Sequence, residues 1–229
     1  SDLLSFEAFS MVKNNIVIPY AELGTSTKST EEQLRAVHRD KFVVFAGSLT
    51  GNSRALRLQI KQHILDDQRR TSLNDTVWFE FSRSTIMDTH VHDLPLQSVF
   101  GISASGDSEA ARRTFTLILS GCIPVIFCDY CILPFENFLD WRKFSIIFRP
   151  RDLDSGNVIL TLRNLTKERI RELQENVLQV RQHFQYHDDY PRPGDALDML
   201  VQELALQTLS LRQFRRWAND HSRDVMNQT

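Results

Sequence analysis

Apolar positions in this chain form short unbroken runs over its first two thirds and spaced stripes over its last third. Lys41–Ala46 (KFVVFA) and Ile123–Phe127 (IPVIF) lack the apolar–polar alternation of a half-solvated strand, so both read as strands buried on two faces, as in a parallel sheet. Asn15–Tyr20 (NIVIPY) reads as a shorter strand stopped by Pro19. Thr76–Phe81, Ser98–Ile102 and Phe144–Phe148 read as further strands. Helices are expected between them. Ser53 can cap one that carries Leu56, Ile60 and Ile64, and Asp107 or Ser108 can cap another with Glu109 in its first turn. Strands alternating with helices predict an α/β fold, a Rossmann-like parallel sheet with helices on both faces.

Beyond Arg151 the pattern becomes helical only. Thr166 caps a stripe of Ile170, Leu173, Val177, Val180 and Phe184, and Pro191–Gly194 breaks it. A second helix from Asp195 carries Leu197, Val201, Leu204, Leu211 and Phe214. Those stripes are expected to pack on the sheet or on a neighbouring domain. The Gly/Ser/Thr-rich stretch 24–30 is the best linker, and no internal repeat is present.

Composition narrows the classes. The 229 residues, 41% hydrophobic, suffice for a packed core. A net charge of -2 gives no general field for gripping nucleic acid, so none is expected as a partner. No run approaches the roughly 20 apolar residues that cross a bilayer, and no signal peptide is visible. The chain opens on Ser1 without an initiator Met, which leads us to expect a fragment. Cys122, Cys128 and Cys131 crowd one apolar stretch; an odd count gives no disulfide framework, and buried free thiols are expected.

Three constellations carry candidate chemistry. In the first, a strand ends at Gly47 and Ser48 and a helix begins near Arg54; small residues admit a ligand, helix N–H groups favour an anion, and Arg54 adds a bidentate phosphate grip. A plain structural turn is the competing reading. In the second, Ser98 opens a strand, a small-residue loop with Gly106 follows, and Arg112–Arg113 lie in the next helix, as an anion site or a solvated basic face. In the third, Leu133–Phe135 leads to Asp140–Trp141 after a strand, at the sheet end where open α/β folds bind ligands; the pair positions a sugar or base, or closes a loop over the core.

The order Ser98-x-Phe100, Gly106, Arg112–Arg113, Gly121–Val125, Leu133–Phe135, Asp140–Trp141 and Phe144–Ser145 resembles the exostosin-like glycosyltransferases. The resemblance spans roughly residues 15–148. It implies the second, donor-binding half of a two-Rossmann (GT-B) inverting enzyme that transfers sugar from a nucleotide sugar, a UDP-sugar, to a glycan or polysaccharide acceptor. Arg54, Arg112 and Arg113 would hold the diphosphate, Gly47, Ser48 and Gly106 would give backbone contacts, and Asp140 would orient the sugar or nucleoside. It further implies no catalytic metal, a membrane-anchored Golgi-lumen protein of type II, and a place in a glycosyltransferase complex. On this basis residues 1–40 are a domain remnant and linker, 41–150 the nucleotide-sugar-binding core and 151–229 a helical segment packed on it. The acceptor half and the catalytic base would lie in the preceding domain, so this piece alone would bind without turnover.

Two departures stand out. The family's Pro-Arg-Gly loop is Ala104-Ser105-Gly106, and its ribose-binding carboxylate is Thr116. They support an alternative reading, a non-catalytic partner subunit with the same fold. Asp88-x-His90-x-His92-Asp93 reads as a polar loop before a metal site. Asn74-x-Thr76, Asn164-x-Thr166 and Asn227-x-Thr229 fit the N-glycosylation acceptor.

Overall fold

The structure is a computed structural model and describes residues 16–21, 29–49, 53–80, 93–104, 112–187, 189–209 and 212. Five strands build one sheet: β1 (Lys41–Gly47), β2 (Thr76–Glu80), β3 (Ser98–Ala104), β4 (Ile123–Phe127) and β5 (Ile146–Phe148). All pairs are parallel, in the order β2-β1-β3-β4-β5. The helices are α1 (Glu31–Ala36), α2 (Arg54–Thr71), α3 (Arg112–Leu119), α4 (Asp152–Ser155), α5 (Val158–Arg163), α6 (Lys167–Val180) and α7 over 196–209. α2 packs against β2 and α5, whereas α3 packs against β3, β4 and α6, as right-handed crossovers in opposite directions require. The chain is therefore the α/β, Rossmann-like fold that its apolar runs predict.

Hydrophobic burial is concentrated between β3, β4 and α3. β4 is buried at all five positions. α3 contributes Phe115, Leu117, Ile118 and Leu119, each at most 1% exposed, and each such side chain stabilises the fold by roughly 1.5–3 kcal/mol. A Cβ on Gly101 would come within 2.0 Å of Leu117 Cδ2, so a residue without a side chain is what lets α3 lie directly on β3. Gly121 ends the α3–β4 turn at φ +66°, a conformation costly for other residues.

Ser53 occupies the N-cap position of α2 without a side-chain cap hydrogen bond, whereas two later helices are capped by side chains. Thr166 Oγ1 accepts the Arg169 N–H and caps α6, whose Leu173 and Val177 are buried. Asp195 accepts the N–H groups of Leu197 and Asp198 at the start of α7.

Two expectations are corrected and a third is narrowed. Residues 16–20 form no strand; the Pro19 carbonyl accepts the Tyr186 hydroxyl at 2.9 Å and Tyr20 lies against Phe115, so the segment is held by side chains instead of a ladder. Cys128 and Cys131 are bonded as a disulfide, because the chain turns just after β4 and brings their Cα atoms to 5.7 Å. On α7 the stripe Leu197, Val201, Leu204 faces outward, each at least 40% exposed, while Ala196 and Met199 are buried.

Two polar joints tie the amino end of the sheet. Arg39 Nη1 donates to the carbonyls of Pro95, Leu96 and Ser98, and Nη2 donates to that of Ser120 at 2.8 Å. Burial pushes its guanidinium below the ordinary range. Asp67 is fully buried on α2 and accepts Arg163 from α5, which also reaches Asp75 at 2.6 Å. Arg163 lies over the Phe42 ring as well, 4.4 Å from its centroid. Burial pushes the Asp67 carboxyl up, but the Arg163 and Arg70 bonds outweigh it and hold the group below the usual carboxylate range.

Candidate functional site

The strand order reverses between β1 and β3: β1 is followed outward by β2, and β3 by β4 and β5 on the other side. Crossovers therefore diverge at this point and leave a crevice beyond the carboxyl ends of β1 and β3, where open α/β sheets bind ligands. Gly47 ends β1 and Ala104 ends β3. α2 begins at Arg54 and the described part of α3 opens at Arg112, so Gly47, Ser48, Arg54, Arg112 and Arg113 all follow the carboxyl ends of β1 and β3. α2 starts there, with Ser53 at its N-cap position, and its N–H groups and positive dipole end favour an anion. Gly106 and the metal-site candidates Asp88, His90 and His92 lie outside the described residues.

Local contacts qualify several roles. A Cβ at Gly47 would sit 2.8 Å from the Phe45 ring, which stacks on Trp78 at 4.2 Å, so packing alone accounts for that glycine. The Ser48 carbonyl accepts Arg57 Nη1 at 2.6 Å, which pins the loop after β1 to α2. Arg54 is exposed and Arg113 half-buried. Below them, the Ser103 and Thr114 hydroxyls are hydrogen-bonded at 2.7 Å in a buried setting and fix the head of α3 to the end of β3. Thr116 Oγ1 faces back toward the Arg112 carbonyl at 3.5 Å.

Asp140 belongs to a second depression. A cavity of about 680 Å³ lies over the ends of β4 and β5, lined among others by Tyr130, Asn137, Phe138, Asp140, Arg142 and Arg149. None of the crevice residues named above is among its lining residues. Asp140 lines it while its carboxylate caps the 3-10 turn 141–143 by accepting the Arg142 N–H at 3.1 Å. Trp141 turns inward instead: its indole N–H donates to the Pro134 carbonyl at 2.9 Å and its ring meets Phe184 edge-on. The Asp–Trp pair thus divides its labour, with Trp141 closing the core and Asp140 at the rim of the cavity.

The wall of this cavity escaped sequence reasoning. Tyr130 is 93% exposed and Phe138 43%, an unusual display of aromatic surface beside exposed charges. Asn137 is held from behind by Glu203 of α7, a residue only 6% exposed. The signal was an aromatic residue in the turn directly after a buried strand; Glu203, 66 positions from its partner, left no local signal. Among the described residues no group of three or more His, Cys, Asp and Glu side chains is arranged to hold a metal ion, and no helix is long and apolar enough to cross a membrane.

Comparison with known proteins adds an independent line. The family model for the Exostosin GT47 domain matches residues 2–165. "Probable arabinosyltransferase ARAD1" of Arabidopsis thaliana is 34% identical over 109 residues, covering 47% of this chain and 24% of that protein. The "Exostosin-1 homolog" of Caenorhabditis elegans is 31% identical over 88 residues, 38% of this chain and 22% of that protein. "Xyloglucan galactosyltransferase MUR3" of Arabidopsis thaliana is 23% identical over 225 residues, 92% of this chain and 36% of that protein. The chain thus spans between about a fifth and a third of the length of these relatives.

Proposed function

This chain belongs to the Exostosin GT47 domain family of glycosyltransferases, and from that premise we propose that it is the donor-binding half of an inverting enzyme that moves a sugar from a UDP-sugar to a glycan or polysaccharide acceptor. The observation that carries the reading is the placement of Arg54, Arg112 and Arg113 after the carboxyl ends of β1 and β3, on either side of the point where the strand order reverses.

In this reading Arg54, Arg112 and Arg113, with the N–H groups at the head of α2, grip the diphosphate. The diphosphate is also the leaving group. Its charge grows as the bond to the sugar breaks, and preorganised cations and dipoles stabilise that charge without a metal ion. An acceptor hydroxyl attacks the anomeric carbon from the far side while a base takes its proton. That base belongs to the part of the enzyme beyond this chain. The cavity at Asp140 lies along the same carboxyl edge of the sheet.

The protein would work in the Golgi lumen, anchored as a type II membrane protein and assembled with other glycosyltransferases. The Cys128–Cys131 disulfide supports an oxidising compartment. The alternative, a partner subunit without catalysis, is favoured by Thr116, whose hydroxyl faces the Arg112 carbonyl and offers no charge to a ribose.

Calorimetric titration with UDP, GDP and NAD separates the readings. Binding of UDP, weakened about tenfold or more in Arg113→Ala, is the expected result. A folded chain silent toward all three nucleotides would favour the partner subunit.

A further inference from the structure

Two Asn-x-Thr triplets meet at the amino end of the sheet. Asn74-Asp75-Thr76 leads into β2, and Asn164-Leu165-Thr166 joins α5 to α6. Their neighbours Asp75 and Arg163 are hydrogen-bonded at 2.6 Å, so one ion pair holds both triplets in a single patch. Asn74 and Asn164 are exposed. Neither side-chain amide has a hydrogen-bond partner among the described residues.

Thr76 carries the argument furthest. It is 1% exposed, and its Oγ1 is buried with no partner among the described residues. A buried hydroxyl left unpaired costs stability, whereas the isosteric Val would leave nothing unpaired and suits a strand better. Among the described residues the fold makes no use of this hydroxyl. The acceptor triplet does, because its third position must be Ser or Thr. Thr166 differs, since its Oγ1 accepts the Arg169 N–H at 3.2 Å and caps α6.

We propose that Asn74 carries an N-linked glycan, with Asn164 as a second acceptor in the same patch. This rests on the lumenal location proposed above. The donor is an oligosaccharide joined to a lipid through a diphosphate. A bond forms between Asn74 Nδ2 and the anomeric carbon, and the bond from that carbon to the phosphate oxygen breaks. The lipid diphosphate leaves with the electron pair, and the amide proton passes to a base of the transferring enzyme. Thr76 is buried once it pairs with Val43 of β1, so transfer precedes the closure of β2. The five residues of β2 set the glycan on the order of 16 Å from the carboxyl edge. It therefore leaves the crevice open, and the amino end of the sheet stays uncovered in the complete enzyme.

The test uses the full-length protein in sealed vesicles from its own source. Protease protection reports its side of the membrane. Peptide N-glycosidase treatment in 18O-labelled water, followed by peptide mapping, then reports each occupied asparagine as labelled Asp. Protection together with labelled Asp at position 74 is the expected result. Protection with Asn74 unlabelled overturns the proposal and leaves the lumenal location standing. An accessible chain with Asn74 unlabelled overturns both. Thr76→Val, compared with the parent after glycan removal from each, should lose the label at 74 with a Tm equal or higher. A Tm lower by several degrees would show that the fold needs the hydroxyl, and would overturn the argument.

Discussion

At the amino end of the sheet the protein consumes its own charges. Arg39 is spent on four carbonyls, and Asp67, Arg163 and Asp75 satisfy one another behind α2 and α5. At the carboxyl end Arg54, Arg142, Arg149, Asp129 and Asp140 are exposed and form no ion pair among the described residues. The same residue types serve as mortar at one end and as a display at the other. Burial with complete bonding marks the structural use, and exposure beside a crevice or cavity marks the use for a ligand. An arginine in a sequence carries neither label.

This contrast breaks hardest at Arg163. Arg163→Ala leaves Asp67 buried with Arg70 alone, and should cost about 3 kcal/mol, a fall in Tm of roughly 10 °C by calorimetry. Gly101→Ala is next: Leu117 must move to admit the methyl, at a cost of about 1–3 kcal/mol in urea unfolding. At the other end Arg54→Ala should change stability by less than about 0.5 kcal/mol yet weaken UDP about tenfold. A large loss of stability there would erase the distinction between the two ends.

Acid sharpens it at the smallest scale. The Asp67 carboxyl is held below its ordinary value of 3.8 in the fold, so its stabilising contribution is complete above that pH. It is lost as the pH falls through the depressed folded value. Stability should therefore fall more steeply on acidification below about pH 4 in the parent than in Asp67→Asn, which has no such carboxyl to protonate.

The fold was legible where burial and chain direction agree. β4 matches its expected run at both ends, because IPVIF is apolar throughout and lies between a Gly121 turn and the polar Asp129. β1 and β2 are each within one residue of their expected ends for the same reason. Legibility failed where an apolar run found a different partner. Residues 16–20 are apolar enough for a strand, yet their packing on Phe115 and the bond from Tyr186 were set by residues far along the chain.

Of the candidate site, Gly47 and the arginines after β1 and β3 could be placed on one edge from pattern alone, since every crossover in a parallel sheet starts at the same end. The cavity over β4 and β5 could not. Its wall draws on a loop that folds back on itself, and the brace from Glu203 reaches it from α7. Nor could Arg39, because a buried cation with four carbonyls is an assembly of distant backbone groups with no local period.

Cys122 has a practical consequence. Its side chain is fully buried at the foot of β4, with Sγ 3.7 Å from the Val99 carbonyl, and burial pushes its thiol up to about 12. With Cys128 and Cys131 bonded to each other, it is the only free thiol in the chain. Thiolate, and with it reactivity toward alkylating reagents, is therefore suppressed for as long as the sheet stays closed. The molecule thus contains its own chemical clock. A single adduct per chain, counted by mass over time, times each opening of the central strands, with no dye and no engineered label.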